Sequence, residues 1–404
     1  MSDLAGRLNI TLRRYGGRLG VTIASTRPLA APSVFAGRSA WETARRLPAL
    51  FSICATAQAS ACAQTLEQAL GLATDPETVS LRQALVETET VKEHLWRLLL
   101  EWPRLLGEAP STAAMRQVLA AWGGLRSALA DPQGPLVPGG GASGTSLLPA
   151  AVARLARVAE TEVFGLPTRD WLAGTASAEA FLAWARDGRT GAARSVQAVA
   201  RAGEAGLGAC GIPALAHHDG SALAERLAGP AAVAFVARPD WDGVPRETGP
   251  FTRTRHLEPV AALVRAHGNG LLARQAAVLA EVAVLLSRLW VDTGAGLERA
   301  SADLGAPVDC VPGVGIAQVE AARGLLVHRV ELEPEGTGGG PPQDRLVRAY
   351  QILAPTEWNF HPQGVVARGL ASLSPGVDDA RLLRQAGLFV TLVDPCVDYE
   401  LSLV

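Results

Sequence analysis

Apolar and polar residues alternate from Arg7 to Arg13, Tyr15-Gly16-Gly17 supplies a turn, and Leu19 to Ile23 alternates again, so a β-hairpin is predicted near the start of the chain. From Ser39 the pattern becomes helical. Helices are predicted over residues 41–50, 60–70, 81–102 and 113–129. The third carries Leu81, Leu85, Leu95, Leu98, Leu99 and Trp102 at helical spacing and is expected to stop at Pro103. Further helices are expected at 147–163, 177–187 and 192–205, a short strand at 231–237, and a long buried helix at 271–291. The C-terminal part reads as strands at 325–332 and 346–352, a short helix at 378–385 and a strand at 388–393. Gly/Pro-rich stretches near 131–146 and 334–342 predict flexible loops, and no internal repeat stands out.

The chain has 404 residues, of which 48% are hydrophobic, enough to fold as one large domain spanning 1–404. Lys+Arg 37 against Asp+Glu 39 leaves no basic field, which argues against a nucleic-acid partner. The cysteines Cys54, Cys62, Cys210, Cys310 and Cys396 are few, odd in number and spread out. That pattern fits a reducing cytosol rather than a secreted disulfide framework, and the first residues lack a charged region followed by an apolar one, so a cytoplasmic protein is expected. The longest apolar stretch, 271–290, contains Arg274, Glu281 and Arg288. Each would cost about 2.5–3.5 kcal/mol at a bilayer centre, so the stretch reads as a core helix and no membrane span is expected.

Two cysteine motifs carry the candidate chemistry. Taken alone, each cysteine is as well explained as a small buried hydrophobe. Asp394-Pro395-Cys396-Val397-Asp398-Tyr399 is similar to the DPCxxC metal motif of [NiFe]-hydrogenase large subunits, with tyrosine in place of the second cysteine. Phe51-Ser52-Ile53-Cys54-Ala55-Thr56-Ala57 resembles the RICGVCxxxH motif of the same subunits, with Ala57 at the second cysteine and Ala61 at the histidine. The first cysteine of each pair is kept and the second is lost. Four further segments follow in the family's order. Glu247-Thr248-Gly249-Pro250 with Arg253 is similar to E-x-GP-x-x-R, and Leu272-Ala273-Arg274 with Glu281 to the helix after it. Gly313-Val314-Gly315, Glu320-Ala321-Ala322-Arg323-Gly324 and His328 resemble G-x-G…EAPRG…H. Tyr350-Gln351 and Pro355-Thr356-Glu357-Trp358-Asn359 resemble YQ…P-[ST]-TWN.

Large-subunit likeness with half the cysteines gone resembles the HupK/HoxV family of hydrogenase-maturation proteins. The resemblance implies an α+β fold of the large-subunit type: a mainly helical bundle with small peripheral β-sheets and both termini meeting at the centre. It implies a non-catalytic scaffold that transiently holds an Fe(CN)2(CO) unit and passes it to the hydrogenase large-subunit precursor. Cys54 and Cys396 would be the iron ligands, and Arg323 and Thr356 would donate hydrogen bonds to the cyanides. The implied partners are a HypC-type chaperone, the HypD iron-loading protein and the large-subunit precursor. The kept cysteines are not those that bridge to iron in the large subunits, so iron would sit differently here.

Nickel is not expected, because the enzymes bind it with four thiolates and two are present at those positions. Cys62 lies eight residues beyond Cys54, about 12 Å along a helix, too far to share a small centre with it. Cys210 and Cys310 belong to no matching motif, and hydrogenase catalysis is not expected. The sequence stops soon after Cys396, without a terminal histidine or an extension to be cleaved, which agrees with a scaffold. A metal-free assembly protein that mimics the large subunit, and a redox enzyme with an altered site, are the alternatives. Arg323 pairing locally with Glu320 and Thr356 capping a turn are the alternative roles for those residues. His217-His218-Asp219-Gly220 reads as a turn, and Gly139 to Gly144 lacks the lysine of a phosphate loop.

Overall fold

The structure is a computed structural model and describes residues 6–51, 53–129, 131, 133–143, 145–295, 311–334 and 341–404. Most of the 334–342 loop and Cys310 lie outside the described residues. Among the described residues six strands form two three-stranded sheets. They are β1 (Leu8–Tyr15), β2 (Arg18–Ser25), β3 (Val314–Ala321), β4 (Gly324–Leu332), β5 (Val347–Leu353) and β6 (Tyr399–Leu403). The hairpin β1–β2 turns through Gly16 and Gly17, with φ of 53° and 74°, the left-handed pair that a tight hairpin turn requires. On its other edge β1 pairs in parallel with β6, Leu8 opposite Tyr399 through Leu12 opposite Leu403. The two ends of the described chain therefore share one sheet, as expected. Leu8, Ile10 and Leu12 point from β1 into the main core.

The helix Leu271–Ala295 runs through that core. Leu272, Ala276, Leu279, Val282 and Leu286 are all buried, and so are Arg274, Gln275 and Glu281. A helix buried on every face belongs at the centre of a bundle. It packs against helices Pro76–Trp96, Leu148–Val158, Thr168–Gly174, Gly191–Arg201, Pro250–Thr254, Glu258–His267 and Asp379–Val393. No helix among the described residues is long and apolar enough to cross a membrane. The sheet β3–β4–β5 lies to one side with its own core, packed on the helix Ala55–Leu70.

Several expectations change. The predicted strand at 231–237 is a helix, Ala232–Ala237, whose Ala232, Phe235 and Val236 are buried at helical spacing. The predicted strand at 388–393 is the end of a continuous helix, Asp379–Val393, in which Leu382, Ala386, Phe389, Val390 and Val393 are buried. In both, short apolar runs suited either structure and tertiary packing chose the helix. The helix expected to stop at Pro103 starts at Pro76, widens into a π turn at Arg97–Glu101 and continues as Trp102–Leu105. Pro103 sits in the first turn after the widening, where its missing N–H costs least. The helix predicted from residue 60 begins at Ala55, with Cys54 as its N-cap residue. Strands β3 and β6 had no prediction. The 131–146 segment is held against the helices, because Glu67 Oε1 accepts from the Gly139 N–H at 2.8 Å and Arg82 donates to the carbonyls of Pro135 and Val137.

Gly315 sets how closely β3 approaches the helix Ala55–Leu70. A Cβ there would lie 1.9 Å from the Thr65 carbonyl oxygen and 3.0 Å from the Ala69 nitrogen, both backbone atoms. Gly315→Ala is expected to destabilise the fold by about 1–3 kcal/mol through forced separation of helix and sheet. Urea unfolding measures this, and an unchanged midpoint would contradict the close approach.

Candidate metal centre

Arg323 occupies the two-residue turn between β3 and β4, where Ala321 pairs with Gly324. The motifs that follow the large-subunit order converge on this turn. Arg253 donates to the carbonyls of Ala321 and Ala322, both at 3.1 Å, and is itself held by Glu281 and Glu320. The Thr248 hydroxyl accepts from the Leu325 N–H at 2.8 Å, and Asn359 brackets the Thr248 backbone with bonds of 3.0 and 2.8 Å. Gly324, at φ 130°, leaves no room for a Cβ, which would meet Thr248 at 2.5 Å. Arg274 pairs with Glu247 in the interior beneath. Glu320 thus serves Arg253 and His217, and the local Arg323–Glu320 pair is not formed.

The Arg323 guanidinium instead reaches Glu93 Oε2 at 3.2 Å and Asp394 Oδ2 at 3.3 Å. Burial alone would lower its proton affinity, but Asp394 and Glu93 outweigh that and raise it. Asp394 ends the helix Asp379–Val393 with a left-handed backbone, φ 60°, and also takes an ion pair from Arg97. This turn aims Pro395 and Cys396 back toward the β3–β4 turn. The Thr356 hydroxyl donates to Cys396 Sγ at 3.0 Å and accepts from the Cys396 N–H at 3.3 Å. Thr356 stands in the short helix Pro355–Asn359, capped at its start by Glu357, which accepts from the Ala354 N–H.

From the other end of the chain, Cys54 sits at the N-terminus of the helix Ala55–Leu70. The first free N–H groups of that helix, those of Thr56 and Ala57, are taken by the buried Glu89 carboxylate at 2.9 and 3.0 Å. Burial, then the nearby Cys396 and Glu89, push the Cys54 thiol up to about 12. The two cysteines and Arg323 therefore share one electrostatic neighbourhood. Cys210 does not join it, since its backbone pairs with Asn269 and its sulfur faces Val365. His217 bonds Glu320 and His218 stacks on Trp241 at 3.7 Å, so that segment binds within the protein.

Three residues of the site carried no motif signal. Arg27 follows β2, faces Cys396 and Cys54, and pairs with Glu357 Oε1 at 3.0 Å. Glu89 was legible only as a carboxylate inside an apolar helix. Gln58, four residues after Cys54, donates to its sulfur at 3.7 Å; that spacing was readable but pointed to no partner. Arg27 Nη1, Arg97 Nε, Arg323 Nε and Asp394 Oδ1 are buried without a well-aligned hydrogen bond, although each belongs to an ion-paired side chain. Three of these atoms, Arg27 Nη1, Arg323 Nε and Asp394 Oδ1, still meet an ion-pair partner directly. An open cleft of about 1190 Å³ leads to Arg323 and Cys396 between Trp96, Trp122 and Tyr399. Among the described residues no group of three His, Cys, Asp or Glu side chains could hold a metal ion. A bare ion that needs four protein ligands is therefore poorly served, whereas a metal that brings its own ligands needs only the two thiols.

Arg27→Met removes one partner of a buried pair whose side chains are 12% and 6% exposed. It is expected to destabilise the fold by about 3–5 kcal/mol, with Arg27→Met/Glu357→Gln recovering most of the loss, measured by urea unfolding. His328 gives a pH test, because burial pushes its imidazole down to about 3. Above about pH 6.5 the ring is neutral whether the chain is folded or not. As pH falls from there toward 3, only the unfolded chain takes up this proton, so stability falls. His328→Gln should flatten the stability slope between pH 5 and 6 by up to about 1.4 kcal/mol per pH unit.

No protein-family model matches the chain. It is 34% identical over 410 aligned positions to the hydrogenase expression/formation protein HoxV of Cupriavidus necator, covering 99% of this chain and 96% of that protein. It is 31% identical to HupV of Azotobacter chroococcum mcd 1, covering 99% of each. It is 34% identical to HupK of Bradyrhizobium diazoefficiens, covering 95% of this chain and 94% of that one. Among solved structures it resembles the reduced, active Ni-Fe-Se hydrogenase from Desulfomicrobium baculatum, with TM-score 0.59, 14% identity and 95% of each chain covered. It also resembles an NAD+-reducing [NiFe]-hydrogenase in the H2-reduced state, with TM-score 0.53, 17% identity and 94% and 93% covered. The fold is that of the hydrogenase large subunits. With near-complete coverage at this identity, the chain belongs to the HoxV/HupV/HupK family of hydrogenase expression/formation proteins.

Proposed function

We propose that this protein is a non-catalytic scaffold of hydrogenase maturation that holds an Fe(CN)2(CO) unit between Cys54 and Cys396 and yields it to the large-subunit precursor. The observation that carries this reading is the meeting of the two retained cysteines in one charged, buried neighbourhood with Arg323, Arg27 and Thr356. Ferrous iron with two cyanides and one carbon monoxide is neutral, and two thiolates add two negative charges. Two guanidinium groups face the sulfurs, Arg27 shared with Glu357 and Arg323 with Glu93 and Asp394, and they lessen the cost of that charge in a buried site. Arg323 and Thr356 are the cyanide donors in this reading. Thr356 gives its single proton to the Cys396 sulfur here, so on loading it would turn that proton from sulfur to cyanide.

The sulfur chemistry suits a temporary hold. Metal binding requires each thiol to give up its proton, so release of the metal is coupled to reprotonation of the sulfurs. Nickel would need two more thiolates, and Ala57 and Tyr399 occupy those motif positions. The cleft beside Cys396 supplies the route by which a HypC-type chaperone, the HypD iron-loading protein and the precursor would reach the cargo.

The test is an infrared spectrum of anaerobically purified protein in the CO and CN stretching region, with iron and nickel counted on the same sample. The expected result is CO and CN bands with iron and without stoichiometric nickel, and loss of both bands and iron in Cys54→Ala and Cys396→Ala. A wild-type protein lacking bands and iron, with hydrogenase maturation surviving both substitutions, would favour a metal-free assembly role instead.

A further inference from the structure

A string of buried polar groups runs behind Cys54 that the site chemistry above does not use. Cys54, Gln58 and Cys62 recur every four residues along one face of the helix Ala55–Leu70, with Cys54 at its cap. Gln58 Nε2 donates to Cys54 Sγ at 3.7 Å, and Gln58 Oε1 lies 2.8 Å from His328 Nε2 on β4. His328 Nδ1 lies 2.9 Å from the Tyr350 hydroxyl on β5, and the Cys62 thiol is buried beside that hydroxyl. Gln58, Cys62, His328 and Tyr350 are each at most 2% exposed.

The proton positions follow from the donor inventory. A neutral imidazole has one N–H and one bare nitrogen. The Gln58 amide nitrogen is turned to Cys54, so its carbonyl oxygen faces His328 and must receive the proton on Nε2. Nδ1 is then bare and accepts from the Tyr350 hydroxyl. Every proton in the string is directed toward Cys54. Rotation of the Gln58 amide would have to be matched by transfer of the imidazole proton to Nδ1 and by turning of the Tyr350 hydroxyl. Burial keeps the ring neutral, so it carries a single N–H over the physiological range. A fully satisfied buried network of this kind is rigid.

We propose that Gln58, His328 and Tyr350 are positioning residues that hold one N–H group on the Cys54 sulfur and so prepare it to bind a soft metal centre. The inference deepens the reading of Cys54 as an iron ligand and rests on it. Cys62 lies buried at the far end of this string, beside Tyr350 and away from Cys396. A hydrogen bond to a metal-bound thiolate draws charge from the sulfur, so its loss alters both affinity and the electron density passed to the metal.

The probe is Cd2+, a soft ion, titrated into the purified full-length chain and followed by thiolate-to-metal absorbance. Gln58→Leu and His328→Phe are each expected to weaken Cd2+ binding about 10–100-fold, with the double variant no weaker than either alone. In iron-loaded protein both should lower the CO stretching frequency by the same amount, a change that a general loss of packing would not produce. Nitrogen-15 NMR of histidine-labelled wild type is expected to show His328 as the Nε2–H tautomer, and this reading needs no substituted protein to fold. His328→Phe binding Cd2+ like the wild type, or His328 carrying its proton on Nδ1, would overturn the proposal. If the wild type lacks the CO and CN bands but the variants still lose Cd2+ affinity, the string stands and the iron reading falls.

Discussion

Asp394 accepts Arg97 on one carboxylate oxygen and Arg323 on the other, and this three-way ion pair fixes where the C-terminal cysteine can lie. Arg323 belongs to the β3–β4 turn, Arg97 to the π turn after the helix Pro76–Trp96, and Asp394 to the end of the helix Asp379–Val393. Three separately folded parts of the chain thus meet at one carboxylate. The left-handed backbone at Asp394 costs of order 1–3 kcal/mol, and the pair of arginines over-determines it. Without that bend Cys396 would not point at Thr356 and the β3–β4 turn.

The surroundings of the site are expensive. Glu87, Glu89, Lys92, Glu93 and His94 are buried within one helix, and Arg323, Arg253 and Glu281 lie close by. Buried ion pairs seldom add net stability over well-packed apolar residues, so their presence is better explained by placement than by strength. Glu89 fixes the start of the Cys54 helix, Arg253 fixes the turn that carries Arg323, and His94 with Arg253 fixes Glu281. Each charge locates a backbone segment that a hydrophobic contact would leave free to slide.

The sequence was most legible where short motifs coincide with constrained backbone. Gly324, Thr248 and Asn359 could be read as family motifs, and they prove to be one clamp on a single turn. The first hairpin and the central helix were legible because Gly16-Gly17 and the all-round apolar pattern each admit one reading. The end of the helix Asp379–Val393 was not, because Leu388 to Val393 is apolar enough for a strand and only Leu382 and Ala386 upstream reveal the helical phase. Within the site, Cys54, Cys396, Arg323 and Thr356 could be singled out by motif order, but Arg27 and Glu89 could not. Their partners lie hundreds of residues away or on another helix, and no local pattern encodes such a meeting.

The parallel pairing of β1 with β6 has a bearing on timing. Leu8 waits for Tyr399, and Leu12 for Leu403, so the strand bond closes across almost the whole polypeptide. Cys54 and Cys396 stand 342 positions apart and meet only through contacts of this long range. β6 begins three residues after Cys396, so closing this one sheet also sets where that sulfur stands.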